Sequence, residues 1–329
     1  MLTGVRPSGR LTLGNYLGAI RNFVNFQYNY EKSIIFIADL HGITSPRDPI
    51  EVQQAIEECV DLYLACGVDF THTKIFQQSS VDEHAVLGFI IAFQCKMGEL
   101  NRMTQFKLKS KEFTRDGVDV GLYIYPTLMI ADILLYDSNC VPVGADQKQH
   151  IEMTRDLAQR FNKRYCEIFT VPEYYIAPIG NKILSLSDPS KKMSKSDDIN
   201  DKGTIFLLDD IEITRKKIMS AVTDIFSVIK FDEERQPGIS NLMSIYSSVT
   251  GMSFVDIETK YCGKGYGVFK KDVADSVCTL IEGIQIKYDY FKNEKKQRAK
   301  ILENGAKFAK EIAKSKLEVV KNTLGLKLL

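Results

Sequence analysis

Apolar positions in the first half of the chain alternate between two periods. Leu13, Leu17, Ile20 and Val24 fall on one helical stripe. Ser33–Asp39 (SIIFIAD) is an unbroken β-branched and aromatic run, as expected of a strand covered on both faces. Helical spacing returns through Val52, Ile56, Cys59, Val60 and Tyr63, and Lys74–Gln77 predicts a second strand. Asn139–Val143 predicts a third, with Pro142 marking an edge or an end. Asp146–Phe161 then reads as a helix with Ile151, Thr154, Leu157, Ala158 and Phe161 inward. Short apolar strands separated by amphipathic helices predict an α/β domain with a parallel sheet.

The character changes after about Lys191. KKMSKSDDINDKG is polar and lysine-rich and predicts a mobile loop. Residues 210–288 read as mainly helical, with turns at Gln236-Pro237-Gly238 and Gly263-Lys264-Gly265. A last helix is expected over Lys292–Leu324, with Leu302, Phe308, Ile312, Leu317, Val320 and Leu324 inward.

A length of 329 residues suggests one large domain and a smaller one. Forty-three basic residues stand against 42 acidic ones, so any surface for nucleic acid must be local. Residues 291–329 are such a place, with eleven basic and four acidic side chains. Tryptophan is absent from the composition, which carries no weight either way. The seven cysteines form no CxxC pair and the four histidines are scattered, so no metal site is expected and the thiols read as reduced. No apolar run approaches the roughly 20 residues that span a bilayer, and MLTGVRPSGR lacks the apolar core of a signal peptide. A cytoplasmic location is expected.

Three segments carry candidate chemistry. Arg6-Pro7-Ser8-Gly9, followed by Thr12-Leu13-Gly14-Asn15, places small residues and free N–H groups at a helix start, where phosphate binds well. An ordinary capped turn uses the same residue types. Lys191-Lys192-Met193-Ser194-Lys195-Ser196 puts cations and hydroxyls on one polar loop, suited to a polyphosphate but also to plain solvation. Val141–Gln147 sets a strand end, Gly144 and polar side chains at a helix start, where ligands sit in open α/β sheets. An ordinary βα turn capped by Asp146 fits as well.

In this order and spacing the three segments resemble the signatures of the class I aminoacyl-tRNA synthetases. TLGN is similar to the HIGH signature, with Thr12 and Asn15 in place of its histidines, and KMSKS matches the second signature letter for letter. GELNRMTQFK (98–107), ADILLY (131–136), VPVGADQKQHIEMTRDLAQRFN (141–162), Asp188–Asp197 and GKGYGVFK (263–270) resemble the bacterial tryptophan–tRNA ligases, from the N-terminus to about Gly305.

The resemblance implies a Rossmann-type catalytic domain over residues 1–185 and a mainly helical anticodon-binding domain over 186–290, with the KMSKS loop at its start. Residues 291–329 would form a helix packing back on the first domain. It implies L-tryptophan, ATP with Mg2+, and the tRNA specific for tryptophan as substrates and partners, in a homodimer. Phe89, Ile90, Ile91 and Phe93 fit either a dimer interface or a core. For ATP the family pattern implies Arg6, Pro7, Ser8, Gly14, Asn15, Gly144, Ala145, Asp146, Ile183, Lys192, Met193, Ser194, Lys195 and Ser196. Lys109 matches a lysine that reaches the triphosphate, so Lys109, Lys192 and Lys195 are the catalytic candidates. For the amino acid it implies Asp132 as acceptor of the indole N–H, with Met129, Ile133, Val141 and Val143 as apolar walls. Tyr125 and Gln147 would hold the α-amino group. His41 matches a pocket histidine, and a core histidine fits its residues nearly as well.

The chain also departs from the pattern. Arg6 stands where well-known relatives carry Gln, and would meet either the substrate carboxylate or the α-phosphate. Ala145 replaces a common Glu. Only Met1–Val5 precede the first signature, a minimal first strand. Three other readings share parts of this pattern: a tyrosine–tRNA ligase, a small adenylyltransferase, and a catalytically dead paralogue serving as an RNA-binding or signalling module. The first lacks the ADILLY and VPVGxDQxQH strings. The second needs no helical C-terminal part. The third should have lost Lys192 and Lys195.

Overall fold

The computed structural model describes residues 1–7, 9–44, 47–144, 147–175, 183–195 and 197–326, apart from 111–116 and the side chain of Lys109. Strands β1 (Leu2–Val5), β2 (Ser33–Ile37) and β3 (Thr73–Gln77) form a parallel sheet in that order, with Val5 opposite Ile37 and Ile35 opposite Ile75. Every residue of β2 is buried, as its unbroken apolar run requires. Strand β4 (Cys140–Pro142) pairs in parallel with β5 (Glu173–Tyr175). Pro142 ends its strand, which removes the missing N–H from the ladder.

Between the three strands β1–β3 and the pair β4–β5 the sheet is parted. The Thr3 hydroxyl donates to the Pro142 carbonyl at 3.4 Å, so β4 lies on the free side of β1. The chain therefore winds one way from β1 to β3 and the other way to β4. Such a reversal leaves a crevice at the carboxyl ends of the strands, where ligands bind in open α/β folds.

The first helical stretch follows from TLGN. Thr12 Oγ1 accepts from the Asn15 N–H at 3.1 Å, while Asn15 Oδ1 accepts from the Thr12 N–H at 3.0 Å, a reciprocal cap. The helix then widens to a π turn over Tyr16–Ile20 before resuming as Arg21–Phe26. The helix Pro49–Ala65 starts with Pro49 in its first turn and Asp48 accepting from the Ile50 N–H at 2.8 Å. The helix expected from Asp146 begins at Lys148 and runs to Arg164, with Ile151, Thr154, Leu157, Ala158 and Phe161 buried as their spacing predicts.

Glu83–Ala92 and Val120–Leu134 are helices packed closely enough that a β-carbon on Gly88 would approach Leu128 Cα to 3.2 Å. The apolar run 89–93 divides between two fates: Ile91 is fully buried, whereas Phe89 and Phe93 are 67% and 73% exposed.

Beyond the loop the helices are Ile211–Met219, Pro237–Thr250, Phe254–Lys260, Tyr266–Asn293 and Lys295–Thr323. Two expectations change. Residues 220–236 hold no helix, and buried Gln236 organises them by donating to Asp224 at 3.0 Å and to the Val228 carbonyl at 2.8 Å. The buried face of the last helix is also not the expected large apolar set, for Leu302, Phe308, Ile312 and Leu324 are only partly covered. Its buried line is Ile301, Gly305, Ala309, Ala313, Leu317 and Val320. Small residues are needed because the helix lies on β3, where a β-carbon on Gly305 would collide with the Ile75 carbonyl. Arg298 ties the same helix to Pro49–Ala65, donating to Asp61 at 2.5 Å and Glu57 at 2.7 Å. One apolar cluster joins Leu13, Ile35 and Leu62 to Ile218, Leu242 and Val273, so the sheet and the C-terminal helices share an interior.

Candidate active site

A cavity of about 970 Å³ opens where β1 and β4 part. Thr3 and Gly4 form one side, Val141, Pro142 and Val143 the other, and Gly14 and Asn15 of the capped helix start close one end. Its size suits a small organic ligand with a nucleotide. Of the residues singled out in the sequence, Arg6, Gly14, Asn15, His41, Tyr125, Met129, Asp132, Ile133, Val141, Val143, Gly144, Gln147 and Lys192 line it. Ser8, Ala145, Asp146 and Ser196 and the side chain of Lys109 lie outside the described residues.

The other candidates stand behind the wall. Ile183 and Met193 are each 1% exposed, and a β-carbon on Gly14 would touch them at 3.4 and 3.5 Å. They form a floor beneath the first signature. The loop read as mobile has a paired base: the Met193 N–H donates to the Ile183 carbonyl at 3.1 Å and the Ser185 N–H to the Lys191 carbonyl at 2.9 Å. Alternation along this paired stretch turns Met193 into the core and leaves Lys192 exposed at the cavity. Ser194 is half-buried and its N–H donates to Asp197 at 2.9 Å. The main chain and Cβ of Lys195 lie against Gly9, and burial first, with Arg6 nearby, lowers its amine below the usual lysine range, while the neighbouring Cys59 opposes the shift. Pro7 is buried, and its carbonyl accepts from Arg47 at 3.1 Å.

Asp132 is completely buried on the cavity wall. Its Oδ1 accepts from Gln78 Nε2 at 2.7 Å and faces His84 Nδ1 at 2.6 Å, while Oδ2 faces His41 Nε2 at 2.8 Å. Burial alone would push this carboxyl up. Hydrogen bonds from His41 and His84 outweigh it and hold the group at about 2, so it is an anion throughout the neutral range. An ionised carboxylate only accepts hydrogen bonds. With Oδ1 doubly engaged, the remaining acceptor capacity lies on Oδ2, beside His41 and Tyr125, whose rings meet edge-on with centroids 6.2 Å apart. Tyr125 in turn shares a 2.7 Å hydrogen bond with His150 Nε2.

Arg6 is, with Lys192, a cation of this space. Its Nη2 donates to Thr44 Oγ1 at 3.1 Å, while its buried Nε finds no acceptor among the described residues. Burial and then the neighbouring Arg47 lower its pKa, which makes an anionic partner in the cavity favourable.

The sequence reading missed Gln78, His84 and Tyr136. One signal was available: His84 opens an otherwise apolar helical run, AVLGFII, where an unpaired imidazole would be costly.

The model of the family described as tRNA synthetases class I (W and Y) matches residues 1–282. The chain belongs to that family. Within it the chain falls among the tryptophan–tRNA ligases: it is 50% identical to that of Malacoplasma penetrans over 99% of this chain and 98% of the relative, and 48% identical to that of Bacillus subtilis over 99% and 97%. Among solved structures it resembles the tryptophanyl-tRNA synthetase of Mycoplasma pneumoniae, with TM-score 0.90, 36% identity and coverage of 99% and 97%. The Campylobacter jejuni enzyme complexed with ADP and tryptophan is similar at TM-score 0.82 and 33% identity, covering 99% of each chain.

Proposed function

We infer that this chain activates L-tryptophan with ATP, forming tryptophanyl-AMP and pyrophosphate, and then transfers tryptophan to the 3′-terminal adenosine of its tRNA. Asp132 carries this reading. A buried carboxylate with acceptor capacity left on the cavity side matches the one N–H that distinguishes indole from the ring of phenylalanine. Met129, Ile133, Val141 and Val143 serve as the apolar walls, and Tyr125 and Gln147 hold the α-amino group.

The tryptophan carboxylate oxygen attacks the α-phosphorus, the bond to the bridging oxygen breaks in line, and pyrophosphate leaves with the electron pair. No covalent enzyme intermediate is needed. Catalysis then rests on positioning and on stabilising charge as it moves to the leaving group. Lys192 stands at the cavity for that purpose, Lys195 is supplied from the loop behind Gly9, and Lys109 joins them at the triphosphate. Arg6 neutralises the substrate carboxylate or the α-phosphate. Mg2+ is a hard cation that keeps several waters and binds substrate phosphates, so it enters here with ATP.

Residues 1–185 act as the catalytic domain and 186–290 as the anticodon-binding part, with 291–329 as the helix packed back on the sheet. Exposed Phe89, Phe93 and Met97 suit the apolar centre of a dimer with a second copy. No described helix is long and apolar enough to cross a membrane. The proposed place of action is the cytoplasm, where tRNA is charged. Amino-acid-dependent pyrophosphate exchange tests the whole reading. Tryptophan should support exchange and tyrosine should not; exchange driven by tyrosine would overturn it.

A further inference from the structure

Asp132 is only half of a longer polar chain that continues away from the cavity. His84 is completely buried, with Nδ1 2.6 Å from Asp132 Oδ1 and Nε2 2.7 Å from the Tyr136 hydroxyl. The rings of Phe36, Phe76 and Tyr136 surround it, with centroids 5.8, 5.8 and 5.5 Å from its own. Proton positions follow from the partners. The Asp132 carboxylate has no proton to give, so His84 Nδ1 carries the hydrogen. Burial first, then the charges of Asp132 and Glu83, push the Tyr136 hydroxyl far up, so it stays protonated and donates to Nε2. The imidazole is thereby held at both nitrogens, donating from Nδ1 toward the substrate side and bonded to the Tyr136 hydroxyl behind.

We propose that His84, held by Tyr136, is a positioning residue for amino-acid choice: it locks Asp132 with Oδ1 turned inward and Oδ2 presented as an anionic acceptor to the indole N–H. The proposal rests on the reading of Asp132 as the indole acceptor. His84 touches neither substrate nor the cavity, so it acts only through the carboxylate. Gln78 shares the hold on Oδ1, but its Oε1 finds no partner among the described residues, whereas His84 is bonded at both nitrogens with aromatic rings close on its faces. The groups that face Asp132 from the packed elements are His41, Gln78, His84 and, through His84, Tyr136, with Glu83 near Tyr136. Removing His84 would take away one of the two histidine donors that offset burial, and protonation of Asp132 would move toward the working pH.

The test compares pyrophosphate exchange for tryptophan and for its benzothiophene analogue, in which sulfur replaces the indole N–H, between pH 5 and 8. Wild type should prefer tryptophan strongly, with a preference flat across that range. His84→Leu should lower the preference by roughly 10-fold or more, the loss of one charge-assisted hydrogen bond, and make it fall further toward pH 5. His84→Asn keeps a donor near Nδ1 and should restore most of it. Tyr136→Phe, which removes the bond at Nε2 and so loosens the position of the ring, should lower it by roughly a few-fold with the KM for ATP unchanged. It also serves if His84→Leu fails to fold. A wild-type preference and pH profile in His84→Leu, or an unaltered preference in Tyr136→Phe, would overturn the proposal. Asp132→Asn in parallel separates the two levels: if it leaves the preference intact, the reading of Asp132 itself is wrong whatever His84 does.

Discussion

Gly9 lies against the backbone carbonyl of Lys195, with no room for a side chain between them. The turn that begins the first signature is thus in backbone contact with the loop of the second, and Gly9 holds φ at +66° to allow it. Gly9→Ala would meet both a left-handed conformation, which costs an ordinary residue roughly 1–2 kcal/mol, and a collision with main chain that cannot swing aside. The expected outcome is a melting temperature lower by several degrees, of the order that such a cost implies. Adenylation should slow more than tryptophan binding weakens, because the displaced element is the loop. Calorimetry and single-turnover adenylate formation read the two effects separately.

Lys195 lies on the loop against Gly9, with its amine desolvated by burial. A group that meets charge only as pyrophosphate departs lowers kcat when removed and leaves ground-state binding alone. Lys195→Ala should therefore reduce kcat for adenylation by on the order of 10²-fold. The dissociation constant for tryptophan should hardly move. Near-normal turnover would remove this lysine from the mechanism.

Asp132→Asn preserves shape but replaces a charged acceptor by an amide, which can turn either oxygen or NH₂ toward the substrate. Tryptophan should lose kcat/KM on the order of 10²-fold through the weakened charge-assisted bond. Phenylalanine and tyrosine, which bring no donor to that point, should lose far less, and the KM for ATP should stay within a few-fold. Equal losses for tryptophan and phenylalanine would make Asp132 a structural residue.

Gly305 meets β3 backbone to backbone, a contact that no side chain can enter. Gly305→Val should lower the thermal midpoint by several degrees or more, since either the helix moves off Ile75 or the strand bends. The control is Glu303→Ala, on the exposed face of the same helix, which should melt within about a degree of wild type.

Lys292, Lys295 and Lys296 are exposed together at the junction of the last two helices, in a segment far more basic than the chain as a whole. A solvated surface accounts for them as readily as nucleic acid does, and kinetics distinguishes the two. If they meet phosphates, changing all three to Gln should raise the KM for tRNA and flatten its dependence on salt, with pyrophosphate exchange unaltered. Unchanged tRNA kinetics would leave them as solvent-facing charges.

Local physics made much of this molecule legible in advance. The unbroken run Ser33–Asp39 matched what a strand covered on both faces requires, and the strand Ser33–Ile37 within it is buried throughout. Spacing alone placed Ile151, Thr154, Leu157, Ala158 and Phe161 on the inner side of one helix, because burial of an amphipathic stripe depends on period and not on the partner. The signature strings led to the family for a different reason: order and spacing over several segments are far more specific than composition.

Tertiary structure decided what depends on a partner distant in sequence. The last helix buries Gly305, Ala309 and Ala313 and leaves larger neighbours half-covered, since the nearness of β3 selects for small volume, which hydrophobicity cannot forecast. The loop at Lys191–Met193 gains a paired base from residues 183–185. Asp132 could be singled out as a carboxylate in apolar surroundings, but its ionisation depends on His41 and His84, 91 and 48 residues away along the chain. A buried charge is tolerated only where donors converge on it, and convergence is a property of the fold.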